Sequence, residues 1–328
     1  YWLIFTFHHA LLDGWSMSPL LQEFFLFYHQ PDAAGPPLPR PYSDYIEWLG
    51  QQDTTAAAAY WQQLIADFAS PTQINIDQTS LIPWDGAQKD PYAEIRQHLP
   101  AALYRRLQET ARQLQCTINT LVQTTWAFLL SRYSSELDVV FGTTVSGRPA
   151  ELSGANEMVG LFINTQPVRA CFGEEETFAT AVHSVQQQQS QSRQFEYTPL
   201  ADIQAWSSIP GGDTLFNTIL VFENTPVESS EGEHDFALTL ESPTYLQRVN
   251  YPLTLVFYPS DSLEMHIIYD QRCFAAATAQ RIIDHFQTAL TNLCRQPHVP
   301  LRTLPILSST EVAQLHAWNH TTTDFPTE

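Results

Sequence analysis

A chain of 328 residues with 44% hydrophobic and 15% charged residues has a globular composition, which excludes collagen-like, disordered and disulfide-dense classes. Its 15 Lys and Arg against 35 Asp and Glu give a formal charge of −20, which argues against nucleic acid as the main partner because phosphate binding needs clustered basic residues. No apolar run reaches the roughly 18 residues of a membrane span, and the four cysteines show neither paired nor metal-ligand spacing, so we expect a cytoplasmic protein without a metal.

The chain begins with residues that are apolar at nearly every position. This pattern predicts that residues 1–9 form a strand buried on both faces. A helix follows, for which Ser16 and Ser18 are the candidate N-caps. A stretch rich in Pro and small residues predicts a loop at 30–40, and an Ala-rich helix is predicted through 60–64.

The remaining apolar periodicity predicts strands and helices in mixed order. The predicted strands are 93–99, 138–145, 215–223, 236–240, 253–258 and 265–269. The predicted helices are 103–114, 121–129, 177–194 and 275–294. Residues 146–149 are predicted to form a turn after the second of these strands. This order indicates an α+β or mixed α/β fold.

The sharpest motif is His-His-x-x-x-Asp-Gly at residues 8–14. An imidazole with an ordinary pKa of about 6.5 can accept a proton near neutral pH. Asp13 can hold the local geometry of a turn, and Gly14 lets the backbone approach a substrate closely. A histidine at a buried strand end is, however, more often a core residue than a catalyst, so the residues alone leave both interpretations open.

The segment 8–16 resembles the core motif of condensation domains of non-ribosomal peptide synthetases. Further blocks resemble the same family in the same order, and they lie at 60–64, 138–149, 158–169, 199–204, 215–224 and 269–274. The Asp-Gly-Trp-Ser continuation of the motif and the Gly-Leu-Phe-Ile-Asn-Thr block at 160–165 resemble the subtype that joins an L-configured donor to an L-configured acceptor.

This resemblance implies an α/β fold of mixed α+β character, built from two chloramphenicol-acetyltransferase-like lobes that form a V. Residues 1–80 would be the C-terminal part of the first lobe, residues 81–306 the second lobe, and residues 307–328 a linker toward an adenylation domain. The chain opens in what resembles mid-domain sequence. The first lobe is therefore expected to be incomplete, and the arginine expected to pair with Asp13 is expected to be missing with it.

The same resemblance implies an acyltransferase that forms amide bonds between a thioester-tethered aminoacyl or peptidyl donor and an aminoacyl acceptor. The domain itself would bind no cofactor, because both substrates arrive on the phosphopantetheine arms of carrier proteins. Its partners would be the upstream donor and downstream acceptor carrier domains, and the adenylation domain that follows in the same polypeptide.

Four residues form the catalytic set that the resemblance implies. His9 is expected to hydrogen-bond the attacking amine and to take or relay its proton, whereas Asp13 is expected to be structural. His8 is expected to be a packing neighbour. Gly14 is expected to offer its backbone N–H near the reacting carbonyl.

Three more residues are candidate substrate contacts. For Trp15 and Ser16, core packing and helix capping are favoured over a contact with substrate. Asn164 lies in a polar pair within an apolar block, where a hydrogen bond across a substrate tunnel and a role in a turn are equally supported.

Three alternatives remain at this stage. An epimerisation domain shares the fold and the histidine pair. A plant-type acyltransferase is disfavoured because no Asp-Phe-Gly-Trp-Gly block occurs in the chain. A non-catalytic module that docks carriers is the third alternative, and with part of the first lobe absent the sequence leaves open whether this fragment is active by itself.

Overall fold

The computed structural model describes residues 4–74, 91–210, 213–223 and 250–321. The helices are α1 (Met17–His29), α2 (Tyr42–Leu49), α3 (Thr54–Leu64), α4 (Ala101–Gln113), α5 (Ile118–Ser134), α6 (Phe178–Ser192), α7 (Leu200–Ala205), α8 (Ala276–Arg295) and α9 (Ser309–Trp318). The strands are β1 (Tyr92–His98), β2 (Asp138–Val145), β3 (Asn164–Cys171), β4 (Thr218–Phe222), β5 (Leu253–Pro259) and β6 (Leu263–Asp270). A short 3₁₀ turn, Gly14–Ser16, precedes α1.

The six strands form one mixed sheet in the order β1-β6-β5-β4-β2-β3. The pairs β2–β4 and β4–β5 are parallel, and the other three pairs are antiparallel. The continuous apolar run Val139–Phe141 is buried, as a strand inside a sheet that is covered on both faces requires. Strand β3 lies at the edge of the sheet, next to β2.

The main core lies on one face of this sheet, beneath α4, α5, α6 and α8. Helix α5 lies between α6, α8 and the sheet, so every residue from Thr120 to Ser131 is buried. Its largest side chain, Trp126, is fully enclosed. A helix this uniformly buried cannot show the one-sided apolar stripe of a surface helix, which explains its weak periodicity in the sequence.

Two smaller clusters connect the N-terminal helices to the rest of the molecule. Val140 points away from Val139 along β2, and it packs with Trp61 of α3 and with Phe216. In the other cluster, Tyr45 of α2 packs against Phe162 and its neighbours in the segment between β2 and β3. This second cluster holds α2 beside the segment that the site uses.

Most predicted elements are confirmed, including β1, β2, β5, β6, α3, α6 and α8. The elements that the sequence did not predict are β3, α2, α7 and α9, and the predicted strand 236–240 lies outside the described residues. No helix in the described ranges is both long and apolar enough to cross a membrane.

The predicted strand at residues 1–9 is wrong for the residues that are described. Residues 4–9 have no regular secondary structure, and all of them are exposed. A strand needs a neighbouring strand for its backbone N–H and C=O groups. None of the six strands in the described part of the chain pairs with this segment.

Candidate functional site

The two histidines of the motif lie in an open turn. The amide of Leu11 donates to the carbonyl of His8 at 2.9 Å, and the amide of Ala10 donates to Nδ1 of His8 at 3.1 Å. Both imidazoles are exposed. The predicted packing role of His8 is therefore wrong, because its ring supports a turn instead of a core.

The ring of His9 lies edge-on to the ring of Phe7, with 6.3 Å between the ring centroids. Within the described ranges, no hydrogen bond reaches this imidazole, and the side chain is exposed. The sequence predicted a rigid imidazole at the end of a buried strand. The structure instead has an accessible imidazole at a turn.

Asp13 has the opposite environment, because none of its surface is exposed. Its Oδ1 accepts hydrogen bonds from the amide of Ser16 at 3.0 Å and from Nη2 of Arg148 at 2.9 Å. Its Oδ2 accepts from the amides of Phe162 at 3.0 Å and Ile163 at 3.4 Å. A buried carboxylate is tolerated only with such a set of donors and an opposite charge. The structural role predicted for Asp13 agrees with these contacts.

Arg148 corrects the expectation that the partner of Asp13 is missing from this chain. Its side chain is 1% exposed and forms an ion pair with Asp13 at 2.9 Å. Its Nη1 donates to the carbonyls of Ala155 and Met158, and its guanidinium lies over the ring of Phe162, 4.1 Å from the centroid. The charged group is thus balanced from several sides at a position 135 residues away from Asp13 in sequence.

Two glycines allow the segments around Asp13 to approach closely. Gly147 has φ +63, and a Cβ there would overlap the carbonyl of Phe162. A Cβ at Gly160 would overlap the ring of Tyr42. A larger residue at Gly147 would push Phe162 away from the carboxylate of Asp13, and at Gly160 either the ring of Tyr42 or the segment 160–163 would have to move.

Tyr42 of α2 holds the same segment from the other side, because its hydroxyl donates to the carbonyl of Leu161. Burial, and then the charge of Asp13, raise the pKa of Tyr42, with Arg148 opposing them. Burial also raises the pKa of Tyr45 to about 12. Both phenols therefore stay protonated at neutral pH, so the hydroxyl of Tyr42 keeps its proton for this hydrogen bond.

Ser16 and Trp15 have different surroundings. Ser16 is fully buried, and its backbone is helical (φ −69, ψ −18), so its side chain makes no capping bond to α1. The predicted capping role of Ser16 is therefore wrong, since an N-cap normally needs an extended backbone. Asp13 caps the 3₁₀ turn instead. Trp15 is half-buried.

Asn164 opens β3 and anchors a neighbouring loop. Its Nδ2 donates to the carbonyls of Glu196 at 2.8 Å and Thr198 at 2.6 Å, and its Oδ1 accepts from the amide of Thr165 at 2.8 Å. Burial raises the pKa of the Glu196 carboxyl, with Arg193 opposing this shift. All polar atoms of the Asn164 amide thus have protein partners.

Gly14 lies at the open side of the motif. It is exposed, and a Cβ built there meets nothing within 4 Å among the described atoms. The turn therefore tolerates a side chain at this position, and the space beside the Gly14 backbone is free for another molecule.

No group of three His, Cys, Asp or Glu side chains in the described part of the chain is arranged to hold a metal ion. Each of the four cysteines is free.

The family model described as "Condensation domain" matches residues 1–316 of this chain. A linear gramicidin synthase protein of Brevibacillus parabrevis is 38% identical over 333 residues, which are 98% of this chain and 6% of that protein. Surfactin synthase subunit 3 of Bacillus subtilis (strain 168) is 33% identical over 316 residues, which are 94% of this chain and 24% of that protein. The chain thus spans only a small part of these relatives.

Solved structures share the fold. A holo four-domain nonribosomal peptide synthetase bound to AMP and glycine superposes with a TM-score of 0.75 at 18% identity, over 93% of this chain and 24% of that one. The first condensation domain of the CDA synthetase superposes with a TM-score of 0.69 at 17% identity, over 92% of this chain and 66% of that one. The mixed α/β fold predicted from the sequence is confirmed.

Proposed function

Because this chain belongs to the condensation domain family of non-ribosomal peptide synthetases, we propose that it joins a thioester-tethered aminoacyl or peptidyl donor to an aminoacyl acceptor through an amide bond. Donor and acceptor would arrive on the phosphopantetheine arms of two carrier domains, and the domain would need no cofactor of its own. The observation that carries this proposal is the accessible imidazole of His9, four residues from a fully buried Asp13.

The reaction is nucleophilic acyl transfer. The amine nitrogen of the acceptor attacks the thioester carbonyl of the donor, the C–N bond forms, and the C–S bond then breaks. His9 hydrogen-bonds the amine, takes its proton and passes it to the leaving thiolate. An α-amine with an ordinary pKa of about 8 is already partly neutral near pH 7, so placement of the amine contributes more than basicity.

The developing oxyanion needs donors that are already in place. The amide of Gly14 is proposed for this role because, among the described residues, no atom lies within 4 Å of a Cβ built at this position. Asp13 and Arg148 keep the turn in place and do not exchange protons with substrate, since both are enclosed. Proposed substrate contacts of Trp15 and Asn164 would have to use the parts of these side chains that remain exposed.

The proposed architecture keeps the boundaries predicted from the sequence. Residues 1–80 would belong to the first acetyltransferase-like lobe of a V-shaped pair, residues 81–306 to the second, and residues 307–328 to a linker before an adenylation domain. The packing of α2 and α3 against the segment between β2 and β4 supports a tight junction between the first two units. The proposed subtype joins an L-configured donor to an L-configured acceptor.

The test compares His9→Ala with His183→Ala in the full polypeptide that carries this chain. His183 is also an exposed histidine, on α6 and remote in sequence from the motif, so it is a matched control. We expect His9→Ala to lose most of the dipeptidyl-carrier product in a single-turnover assay, whereas His183→Ala keeps it. Undiminished product from His9→Ala would contradict the proposed role of His9.

The same assay separates the alternatives. Inversion of a residue on a single loaded carrier, without amide formation, would favour an epimerisation domain. Binding of both carriers without any product from the unmodified protein would favour a non-catalytic docking module. Amide formation by the unmodified protein excludes that module.

A further inference from the structure

We propose that Ser16 is a positioning residue, whose hydroxyl holds the turn that carries His9 in register with residues 160–163. This inference rests on the proposed function, because it assigns a role in the same site. It differs from both roles considered from the sequence, since Ser16 neither caps α1 with its side chain nor has exposed surface for a substrate contact.

The hydroxyl of Ser16 pairs with both backbone groups of Gly160. Its Oγ accepts from the amide of Gly160 at 3.1 Å and lies 3.0 Å from the carbonyl of Gly160. The amide of Asp13 donates to that same carbonyl at 3.2 Å. The Asp13–Ser16 turn therefore provides hydrogen-bond partners for both the amide and the carbonyl of Gly160. Ser16 and Gly160 are 144 positions apart in sequence.

The same hydroxyl also contacts the charged pair. Ser16 Oγ lies 2.9 Å from Oδ1 of Asp13 and 3.4 Å from Nη2 of Arg148. A hydroxyl has a single proton, so it can donate to Asp13 or to Gly160 at one time while it accepts from the amide of Gly160. The Ser16 hydroxyl thus lies within hydrogen-bonding distance of the carboxylate, the guanidinium and Gly160 at the same time.

These contacts act on His9 through the backbone. Residues 8–11 form a single turn that leads directly into the buried Asp13, and no other described element pairs with them. The position of the imidazole relative to residues 160–163 therefore depends on how the Asp13–Ser16 turn is held. A shift of about 1 Å at a reacting group can cost on the order of 100-fold in rate.

The experiment measures kcat and KM for the acceptor carrier with Ser16→Ala, with the matched control Ser18→Ala, both in the full polypeptide. Ser18 lies two residues further on, and its Oγ accepts a hydrogen bond from the side chain of Gln22 at 3.3 Å in an exposed setting. We expect Ser16→Ala to lower kcat roughly 10- to 100-fold with KM unchanged, because the imidazole is displaced while the carrier surface is kept. Ser18→Ala should leave both constants unchanged.

A double-mutant cycle with His9→Ala tests whether Ser16→Ala lowers kcat by displacing the imidazole of His9. Once the imidazole is removed, its displacement has no further consequence, so Ser16→Ala should not lower the rate of His9→Ala any more. The proposal for Ser16 would be overturned if Ser16→Ala lowered kcat by the same factor in the wild-type protein and in His9→Ala. It would also be overturned if Ser16→Ala alone left kcat unchanged. If His9→Ala alone keeps full activity, the proposed function of His9 fails instead.

Folding of the variant is checked by its thermal unfolding midpoint. If Ser16→Ala does not fold, Ser16→Cys is measured in the same way, since a thiol has nearly the same shape but is a much weaker hydrogen-bonding group. A kcat-specific loss in the folded Ser16→Cys protein supports the positioning role. Failure of both variants to fold would show that Ser16 serves stability alone, which contradicts the proposal.

Discussion

Residues 8–11 and residues 13–16 are two parts of one turn. Asp13 and Ser16 of the second part have an environment opposite to that of the first part, whereas Gly14 is exposed. The first part is exposed, and the hydrogen bonds that the structure describes for it lie within its own turn. In the second part, Asp13 and Ser16 are fully enclosed and bind a segment about 150 residues further along the chain. Within this turn, the groups proposed to meet substrate, His9 and Gly14, are exposed, whereas the groups that fix their position, Asp13 and Ser16, are enclosed.

This difference separates the effects expected on stability from those expected on turnover. Substitutions among the enclosed residues should lower the free energy of unfolding and activity together, because a buried polar network has no alternative partners. Substitutions in the exposed turn should leave stability nearly unchanged, since they remove few contacts. Four substitutions test this contrast, and their expected effect on stability decreases from Arg148 through Gly160 and Tyr42 to Gly14.

Arg148→Met should have the largest effect. It removes the positive partner of Asp13 and leaves the carboxylate enclosed and uncompensated, which typically costs about 3–5 kcal/mol of unfolding free energy. Urea unfolding measures this loss. The control is Arg302→Met, which breaks the exposed pair of Arg302 with Glu175 and should change little. Equal stabilities of the two variants would contradict the importance of the buried pair.

Gly160→Ala should come next, with a loss of about 1–3 kcal/mol, the usual cost of an extra methyl group in a packed site. The methyl would overlap the ring of Tyr42, so either that ring or the segment 160–163 has to move. Thermal and urea unfolding both report the loss. If Gly160→Ala kept the stability of the wild type, the ring of Tyr42 could shift freely. The close contact between Gly160 and this ring would then contribute nothing to the free energy of unfolding.

The sequence predicted neither the exposed first part of the turn nor the partners of its enclosed residues. The alternating apolar residues at 1–9 resemble a strand, but the pattern carries no information on whether a partner strand exists. Asp13 was predicted to be structural from its place beside a turn, and its contacts agree. Arg148 was not predicted as its partner, because two charges 135 residues apart leave no periodic signal in a single sequence.

Strand β3 shows a second limit of sequence reasoning. Asn164, Gln166 and Pro167 have low strand propensity, so the segment does not read as a strand. It becomes one because it lies at the sheet edge, where Pro is tolerated, and because it pairs along its whole length with the strongly apolar β2. Helix α2 was missed for a different reason: Tyr42, Tyr45 and Leu49 do recur at helical spacing, but eight residues give only about two turns of the pattern. The packing of Tyr45 against Phe162 holds this short helix in place.

Tyr42→Phe should have a smaller effect, about 1 kcal/mol, because it keeps the ring over Gly160 and removes only the hydroxyl that donates to the Leu161 carbonyl. Chemical denaturation measures the change. The control is Tyr197→Phe, whose hydroxyl donates to the carbonyl of Asp53 in an exposed setting, where water can replace it. If Tyr197→Phe lost more unfolding free energy than Tyr42→Phe, solvent exposure would not determine how much these two hydrogen bonds contribute to stability.

Gly14→Ala should have the smallest effect on stability and a clear effect on turnover. A Cβ at this position meets no described atom within 4 Å, so the methyl group is accommodated, and reduced freedom of the unfolded chain can raise stability by up to about 1 kcal/mol. The same methyl would project into the space where the thioester carbonyl is proposed to approach the backbone amide. We therefore expect a lower rate of dipeptidyl-carrier formation without any loss of thermal stability.

The control for this variant is Gly173→Ala, a substitution at an exposed glycine remote in sequence from the motif, whose added Cβ would meet only the end of the Glu176 side chain. It should change stability in the same direction and by as little as Gly14→Ala does, and it should leave condensation unchanged. If Gly14→Ala also keeps full activity, no substrate atom passes close to this backbone, and the oxyanion has to be stabilised elsewhere. A loss of stability at Gly14 would instead show that the turn is held tightly along its whole length, which would remove the contrast between its exposed and its enclosed part.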